Sequence, residues 1–321
     1  MITVSICVPV YGVERYIERC ARSVFEQTYD NIEYIFVDDC SPDHSIDILK
    51  NVIEEYPARK PNVRIVRHEH NRGLAAARNT AIDNAEGEFV LHIDSDDYIP
   101  SDYVSLLAAK QGGNHDIVVN RVVTIINGKK NPWPVEVNPN KEAYLRDILT
   151  RKTVGQVVGK LIRRSLYEDH SIRNVEGINN SEDFQVYSQL LYYANSVGVE
   201  GNAEYMYDLG NGRSISNSHK EESEMQLFQT IEILRRFYRK NSPKYLPCLD
   251  EAEFVALTWN LKHWCYVQGH DEFFNSIKSK LLSYDKSKLK TLDLKAKVSL
   301  YGNRRLIQLF YKIFNKIYHR T

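Results

Sequence analysis

The sequence predicts an α/β fold with a mixed, mostly parallel β-sheet flanked by helices, followed by a helical C-terminal region. Through the first 110 residues, short apolar runs rich in β-branched residues alternate with segments whose apolar residues recur at helical spacing. After about residue 217 only the helical spacing continues. Polar and acidic residues also follow the predicted strands directly, at the edge where sheets of this class bind ligands.

Four strands are predicted within the first 94 residues. Each is a short run rich in Val, Ile and Phe, without the polar alternation of a half-exposed strand. Such runs indicate strands that helices cover on both faces of the sheet. The predicted strands are Ile2–Tyr11, Ile32–Asp39, Val63–Val66 and Glu88–Asp94.

Three predicted helices separate these strands. The first has an apolar stripe that runs from Val13 to Phe25. The second follows Ser41, whose hydroxyl can cap its first turn, and its stripe extends from Ile46 to Tyr56. The third is the alanine-rich segment 73–82. Each helix would bring the chain back to start another parallel strand.

The pattern changes near residue 116, where a longer strand is predicted, and again near residue 215. We predict one domain over residues 1–215, with a ligand-binding half at about 1–115 and a second half at about 116–215. Residues 216–321 form the predicted helical region.

The composition is that of a globular protein, with 43% hydrophobic and 26% charged residues. No run of 18 apolar residues is present, so no membrane span is predicted, and the N-terminus lacks the pattern of a signal peptide. The five cysteines are an odd number without a CxxC pair. This favours reduced thiols in a cytoplasmic protein over disulfides or a zinc site.

Basic residues accumulate at the C-terminus, where residues 286–321 contain ten Lys or Arg and a single acid, Asp293. Residues 303–320 also show an amphipathic helical pattern, so this segment could contact an anionic membrane surface. The alternative is a terminal helix packed on the protein with its basic face in water. Nucleic acid is not expected as a partner, because no known binding motif accompanies the basic residues.

The segment FVLHIDSDDY places Asp94, Asp96 and Asp97 at the end of a predicted buried strand. Three adjacent carboxylates repel one another, and a hard cation such as Mg²⁺ or Mn²⁺ relieves that repulsion. Such an ion uses few protein carboxylates and completes its shell with water and substrate phosphates. The cluster therefore predicts a metal site for a phosphate-bearing substrate. The alternative is an ordinary loop in which Asp97 or Ser101 caps the next helix.

Two other acid-rich sites fit the cluster less well. An EF-hand loop starting at Asp94 would need Gly and Glu where the chain has Ile99 and Ser105. An aspartyl-phosphate phosphatase would carry its paired acids after the first strand, whereas here they follow the fourth. It would also usually carry Thr or Val where this chain has Tyr98. A phosphatase-like hydrolase stays open as an alternative.

A nucleotide could bind at the other strand ends. No glycine-rich phosphate loop follows the first strand, so recognition through the base is the better hypothesis. Asp38 can accept a hydrogen bond from the imide N–H of uracil or thymine, and Tyr11 can stack on the ring. Arg72 or Arg78 could lie over the base or the diphosphate. Alternatively, Asp38 and Asp39 cap the next helix and pair with Arg78.

Several motifs follow one another in a fixed order, namely VSICVPVYG, VDDCS, NRGLAAARNTAI, GEFVLHIDSDDY, GKLIRRSL and NNSEDFQVYSQLL. In this order they resemble the family-2 glycosyltransferases of the GT-A fold, a Rossmann-like nucleotide-binding architecture. The resemblance is close over about the first 110 residues and resumes at the last two motifs. Two positions depart from it: Gly12 stands where relatives often have Asn, and Cys40 replaces a common Gly.

This resemblance implies a nucleotide-sugar donor, most often a UDP-sugar, together with Mn²⁺ or Mg²⁺. Asp96 would bind the metal ion that bridges the diphosphate. Asp94 would lie beside the ribose and serve as a second metal ligand, and Asp97 would lie close to the donor sugar. Arg213, in a predicted flexible loop, would touch the diphosphate. The other residues predicted to hold the donor are Pro9, Tyr11, Asp38, Asp39, Arg78 and Ser95.

The resemblance also implies a catalytic base at the acceptor side, Asp183 in the segment SEDF, with Glu182 as the second choice. The acceptor hydroxyl must lose its proton as it attacks the anomeric carbon, and a single in-line displacement inverts that carbon. The apolar spacing that follows predicts a helix beginning at these acids, where negative charge is favoured. The local sequence equally permits an ordinary helix start.

The implied function is an inverting glycosyltransferase that acts on a hydroxyl of a saccharide or of a lipid-linked saccharide. Its expected setting is bacterial surface polysaccharide synthesis, in the cytoplasm or at the inner face of the membrane. The alternative from another class is a non-catalytic subunit of the same fold that binds a nucleotide-sugar or a glycan.

Overall fold

The computed structural model describes residues 2–133, 137–153, 155–210, 221–265, 267, 269–302, 305–307 and 309–312. The chain forms two compact units that divide between residues 219 and 220. The domain boundary that the sequence predicts near residue 215 remains a prediction. The division of that domain into a ligand-binding half at 1–115 and a second half at 116–215 also remains a prediction.

The first unit is built on a β-sheet. In chain order its strands are β1 Val4–Val10, β2 Ile32–Asp38, β3 Val63–Arg67, β4 Phe89–His92, β5 Ile117–Ile126, β6 Lys129–Pro132, β7 Leu161–Arg163 and β8 Val197–Asp208. They lie in the order β3-β2-β1-β4-β7-β5-β6, with β8 paired to β5. The first four strands are parallel to one another, and β7 is antiparallel to both β4 and β5. The predicted mixed, mostly parallel sheet is thereby confirmed.

Helices cover this sheet. They are α1 Ile17–Phe25, α2 Ser45–Glu55, α3 Leu74–Asp83, α4 Tyr103–Gln111, α5 Lys141–Leu149, α6 Ser165–Asp169 and α7 Glu182–Tyr193. Every residue of β1 and β4 is buried, as expected for strands with helices on both faces. The apolar sides of α1 and α2 contribute Ile17, Val24, Leu49 and Val52 to the largest core cluster.

The start of α2 differs from the prediction. The helix begins at Ser45 and not directly after Ser41, and no side chain at its N-cap position bonds to the first turn. Asp43 takes this part instead, because its carboxylate accepts hydrogen bonds from the Ser45 N–H and hydroxyl at 3.1 and 2.5 Å. Ser41 faces the first strand's loop, where its hydroxyl accepts from the Gly12 N–H at 2.8 Å.

Helix α3 receives its cap from a distant part of the chain. It follows Gly73, whose φ of +88° lies in the left-handed region that favours glycine. The Asn179 carboxamide oxygen accepts from the Ala75 N–H at 3.0 Å, 104 residues along the sequence. A Cβ at Gly73 would meet that carboxamide at 2.5 Å, so only glycine allows this approach.

The turn before β7 is also closely packed. Gly159 has a φ of +74°, and its carbonyl accepts from the Tyr103 hydroxyl at 2.6 Å. A Cβ there would lie 2.7 Å from the Tyr103 Oη, 2.8 Å from the Asn120 Nδ2 and 2.9 Å from the Tyr205 Cδ2. This turn therefore requires glycine for its backbone conformation and for space.

The second unit is helical, as predicted. Its helices are α8 Glu221–Asn241, α9 Leu246–Trp264, α10 Asp271–Leu282, α11 Lys286–Lys290 and α12 Leu294–Tyr301. Its core includes Leu257, Leu261, Trp264, Ile277 and Leu300. None of the described helices in the chain combines the length and the hydropathy needed to span a bilayer.

The C-terminal segment is described only in part. Ile307 and Tyr311 are buried and pack with Cys265 of the same unit, while Leu306 and Leu309 are exposed. This part of the segment thus packs on its own unit. The membrane contact predicted for residues 303–320 gains no support from these contacts, and the remaining positions lie outside the described residues.

Gly159→Ala should destabilise the first unit by about 2–5 kcal/mol, because left-handed strain adds to a steric clash. The matched control is Gly128→Ala, at a φ of +75° with nothing within 4 Å of a Cβ. It should cost only about 1–2 kcal/mol. Urea denaturation followed by circular dichroism measures both losses. Equal losses for the two variants would show that the contacts around Gly159 do not matter.

Candidate active site

Four of the sequence-predicted site residues lie at one edge of the sheet. Tyr11 follows β1, Asp38 ends β2 with Asp39 after it, and Asp94 comes two residues after β4. Because these strands are parallel and adjacent, their carboxyl ends meet. Pro9 is buried within β1, opposite Val37 of β2.

At the end of β2, one buried acidic side chain pairs with one exposed arginine. The Asp38 carboxylate accepts from the Ser41 N–H at 2.8 Å, and its other oxygen lies 3.3 Å from the Arg67 Nε. The side chain of Asp38 is only 3% exposed, whereas that of Arg67 is 71% exposed. Tyr11, at the end of β1, is 50% exposed. A planar base could therefore stack on Tyr11, and a phosphate or carbonyl could reach Arg67.

Asp39 has a different position from its neighbour. It is buried, and its carboxylate accepts from the N–H groups of Arg72 and Gly73 at 2.8 Å each. It also lies 2.6 Å from the His68 Nδ1, while the His68 Nε2 contacts the Thr80 hydroxyl at 2.9 Å. These contacts fix the loop before α3. The predicted donor contact of Asp39 stays a prediction, and both of its oxygens already bind that loop.

The acidic loop after β4 forms a tight turn. The Asp97 N–H donates to the Asp94 carbonyl at 3.0 Å, and Ser95 between them is buried. The Asp97 side chain is fully buried and accepts from the Asp208 N–H at 2.8 Å. Burial, followed by the charges of Asp96 and Asp94, raises the pKa of Asp97 well above its ordinary value.

The burial of Asp97 corrects its predicted role. A fully buried carboxylate cannot lie against the donor sugar, and Asp97 instead ties the loop to the end of β8. Ser95 is 6% exposed and also supports the loop from below. The alternative in which Asp97 or Ser101 caps α4 is wrong as well, because Asp102 occupies the N-cap position without a side-chain cap bond. The Gln27 Oε1 accepts from the Val104 N–H of the first turn at 3.0 Å instead.

Asp96, like Asp94, is half-buried, whereas Asp97 is fully buried. The Asp96 carbonyl accepts from Arg19 at 2.7 Å, and the same guanidinium pairs with Asp208 at 2.7 Å. No group of three or more His, Cys, Asp or Glu side chains among the described residues could hold a metal ion by itself. One or two carboxylates at a diphosphate suit Mg²⁺ or Mn²⁺, so this donor set fits such an ion.

Arg78 of α3 joins the acidic loop to the start of α7. Its Nη2 lies 2.9 Å from the Asp94 Oδ1, its Nη1 lies 2.7 Å from the Glu182 Oε1, and Nη1 also pairs with Asp183. Burial opposes the charge of this 2% exposed side chain, but the three carboxylates outweigh that effect and raise its pKa. Arg78 therefore stays ionised.

These contacts correct the predicted role of Arg78. Its guanidinium is enclosed by acids and cannot lie over a nucleotide base or a diphosphate. The alternative pairing with Asp38 and Asp39 is wrong too, since the recorded partners of Arg78 are Asp94, Glu182 and Asp183. Arg72, the other predicted candidate, is exposed and pairs with Glu176 at 2.6 Å. A second exposed arginine at the nucleotide side is Arg67, which the sequence analysis missed. Its only sequence signal is its place at the end of the third strand.

The two acids of α7 start the helix, as predicted. The side chain of Glu182 is 7% exposed and that of Asp183 is 17% exposed. Burial raises the pKa of both carboxyls, while Arg78 acts in the opposite direction. Asp183 is the more accessible of the pair and so the better placed to take a proton from an incoming hydroxyl. Arg213 lies outside the described residues.

Comparisons with known proteins identify a matching family model and several relatives of this chain. The family model "Glycosyl transferase family 2" matches residues 5–171. EpsH of Bacillus subtilis (strain 168) is 33% identical over 236 residues, covering 71% of this chain and 67% of EpsH. TarS of Staphylococcus aureus (strain Mu50 / ATCC 700699), a poly(ribitol-phosphate) beta-N-acetylglucosaminyltransferase, is 31% identical over 211 residues. That match covers 64% of this chain but only 35% of TarS.

Solved structures share the fold. The crystal structure of S. aureus TarS 1-349 in complex with UDP-GlcNAc has a TM-score of 0.68 at 21% identity, covering 97% of this chain and 92% of that one. The mannosyltransferase PcManGT from Pyrobaculum calidifontis, in complex with GDP-Man and Mn²⁺, has a TM-score of 0.58 at 17% identity. It covers 100% of this chain and 88% of that one.

These similarities confirm the predicted GT-A fold. The family model covers more than half of the sequence and includes the loop with Asp94 and Asp96. We conclude that this chain belongs to glycosyltransferase family 2.

Proposed function

We propose that the protein is an inverting, metal-dependent glycosyltransferase that moves a sugar from a UDP-sugar to a hydroxyl of a saccharide or lipid-linked saccharide. The observation that carries this proposal is the placement of Arg78. One buried guanidinium joins Asp94, on the donor side, to Glu182 and Asp183 at the start of α7. A donor held near Asp94 would then have its reacting carbon within reach of a base on α7.

On the donor side, Tyr11, Asp38 and Arg67 would hold the nucleotide. Tyr11 offers an exposed ring for stacking, and Arg67 offers an exposed cation beside the Asp38 carboxylate. UDP is the preferred nucleotide because an imide N–H suits the Asp38 oxygen. The complex of TarS with UDP-GlcNAc supports this choice, although the complex of PcManGT carries GDP-Man.

Asp96, with Asp94 beside it, would hold a divalent ion at the diphosphate. Mn²⁺ or Mg²⁺ bound there supplies a Lewis acid that stabilises the negative charge of the departing nucleoside diphosphate. Asp97 and Ser95 support this loop from the interior. The Mn²⁺ in the PcManGT complex supports the proposal.

On the acceptor side, Asp183 would take the proton of the attacking hydroxyl. In a single in-line displacement the new bond forms opposite the leaving diphosphate, so the anomeric configuration inverts. Arg78 would hold the Asp183 carboxylate in place. Glu182, deeper in the protein, remains the second candidate for the base.

The acceptor and setting follow from the relatives only by analogy. TarS acts on poly(ribitol-phosphate), as its name states, and this supports a role in bacterial surface polysaccharide synthesis. The cytoplasmic side of the membrane stays the predicted place of that synthesis. Membership of family 2 removes the phosphatase-like alternative. A binding subunit without turnover stays the competing hypothesis, and turnover measurements separate it from the enzyme.

The metal proposal predicts that Asp96→Ala loses donor binding. UDP-GlcNAc at about 100 times its Kd, with Mn²⁺, should stabilise the wild-type protein by about 2.7 kcal/mol and raise its Tm. The Asp96→Ala protein should show little or no rise, and EDTA should abolish the rise in the wild type. The control is Asp102→Ala, an exposed acid six residues away that makes no cap. An equal rise in Asp96→Ala would contradict the metal assignment.

Arg67→Ala should weaken nucleotide binding about tenfold, because a hydrogen bond to a charged group contributes roughly 1.5–3 kcal/mol. Its Tm without nucleotide should barely change, since the side chain is 71% exposed. Titration calorimetry with UDP and Mn²⁺ gives the Kd. Arg236→Ala serves as the control, because that arginine is similarly exposed at 75% and belongs to the helical unit. Unchanged UDP affinity in Arg67→Ala would remove it from the donor site.

Asp183→Asn should lower the rate of nucleotide release from UDP-GlcNAc by about 10²–10⁴-fold, the usual contribution of a general base. The Kd for UDP should stay within about twofold, because the base does not touch the nucleotide in this proposal. Glu182→Gln should lose less. The reverse order, with Glu182→Gln the slower variant, would make Glu182 the base. Turnover unaffected by either change would rule out both acids.

A further inference from the structure

Arg19 of α1 contacts the acidic loop from its exposed side. One nitrogen of the guanidinium, Nη2, lies 2.7 Å from the Asp96 carbonyl oxygen and 2.7 Å from the Asp208 Oδ2. This nitrogen carries two N–H groups, so it can donate one to each oxygen. The guanidinium carbon also lies 4.4 Å from the centre of the Tyr98 ring. A single side chain thus joins the backbone of the proposed metal ligand to the end of β8.

The groups that Arg19 joins belong to well-packed elements. Arg19 lies in the first turn of α1, a helix with one buried face. Tyr98 and Met206 of β8 exchange two backbone hydrogen bonds of 3.1 and 3.3 Å. Tyr98 also packs against a small core cluster that comprises Val123, Ile125 and Met206. The guanidinium therefore connects the loop to a helix on one side and to the sheet on the other.

The flanking positions of the acidic loop are bound from the interior. The Asp94 N–H donates to the Tyr205 hydroxyl at 3.1 Å, and the buried Asp97 carboxylate accepts from the last N–H of β8 at 2.8 Å. Asp96 lies between these two positions, and Arg19 binds its carbonyl from the exposed side. This hydrogen bond restricts the rotation of the peptide that follows Asp96. It thereby restricts the directions that the Asp96 side chain can take.

The charge of Arg19 alone would oppose a metal ion at Asp96, because a guanidinium repels a dication. The side chain is also 41% exposed, and ion pairs of such exposure contribute little to the stability of a fold. The hydrogen bond to the Asp96 carbonyl has a different consequence for a metal site. Groups behind the metal ligands orient those ligands, and their loss weakens metal binding.

We propose that Arg19 is a positioning residue for the divalent-metal site, which holds the Asp96 backbone so that the Asp96 carboxylate is oriented before the ion binds. The inference rests on the proposed function, in which Asp96 binds the ion. Tyr98 and Asp208 act together with Arg19, because their contacts fix the plane of the guanidinium. A ligand that is already oriented loses less freedom on binding, so less Mn²⁺ is required for saturation.

Arg19→Met tests this, because methionine keeps much of the aliphatic chain and removes both hydrogen bonds. The measured quantity is the Mn²⁺ concentration that gives half of the Tm rise caused by excess UDP. This concentration should increase about 10–100-fold in Arg19→Met, the usual loss for a group that orients a metal ligand. Loss of the positive charge alone would decrease it, so the two explanations predict opposite changes. The Tm without ligands should fall by at most about 4 °C.

Two further variants separate geometry from charge. Arg19→Lys keeps the charge but lacks the planar guanidinium, so it should recover only part of the Mn²⁺ affinity. Arg22→Met is the matched control, because Arg22 lies in the same helix with a side chain that is 34% exposed. Its ion-pair partners are Glu18 and Glu55, outside the acidic loop. This variant should keep the Mn²⁺ requirement of the wild type.

An unchanged or lower Mn²⁺ requirement in Arg19→Met would overturn the proposal, and so would an increase that Arg22→Met shares. If excess UDP with Mn²⁺ does not raise the Tm of the wild-type protein, the proposed metal site fails and this inference with it. A different result separates the two. If Asp96→Ala loses the Mn²⁺-dependent rise while Arg19→Met keeps the wild-type requirement, only the role of Arg19 fails.

Discussion

The first unit depends on one electrostatic arrangement, the buried guanidinium of Arg78 among Asp94, Glu182 and Asp183. Taking any of these charges out of water alone would be costly, and together they largely neutralise one another. One cation faces three acids, so a negative excess remains on the side that opens to solvent. Burial, and to a lesser degree the charge of Arg78, lowers the pKa of His92 to about 3. These charged groups would set the electrostatic potential of an active site at this edge of the sheet.

The mixed sheet explains how two sets of acids reach one place. The parallel strands β2, β1 and β4 bring their ends to a common edge, where loops can carry ligand-binding residues. The antiparallel strand β7 then extends the sheet beyond β4, and α7 follows it at the side of the acidic loop. Strands and helices on both sides of the short polar loops restrict the movement of these loops. The side chains that the loops carry therefore keep their positions.

Much of this could be predicted from the sequence, because the signals are local. The apolar runs of β1, β2 and β4, the acids that follow them and the acidic start of α7 all depend on neighbouring residues. The partners of Arg78 do not, since Glu182 lies 104 residues away. The exposure of Arg67 and the burial of Asp97 also depend on packing between distant segments. Even the start of α2 differs from the prediction, because the Asp43 carboxylate accepts from the Ser45 N–H and also from the Ser41 hydroxyl.

The cap that Asn179 places on α3 bears on how the chain folds. Before residues 179–183 are present, the first turn of that helix lacks its acceptor, and the guanidinium one turn further on has Asp94 but lacks Glu182 and Asp183. Contacts of such sequence separation form late and slow the search for the native state. Residues 1–115 produced alone would contain every parallel strand at the nucleotide edge, and still lack the segments that order α3. We therefore expect the two predicted halves of this unit to fold together, so that neither half produced separately should be intact.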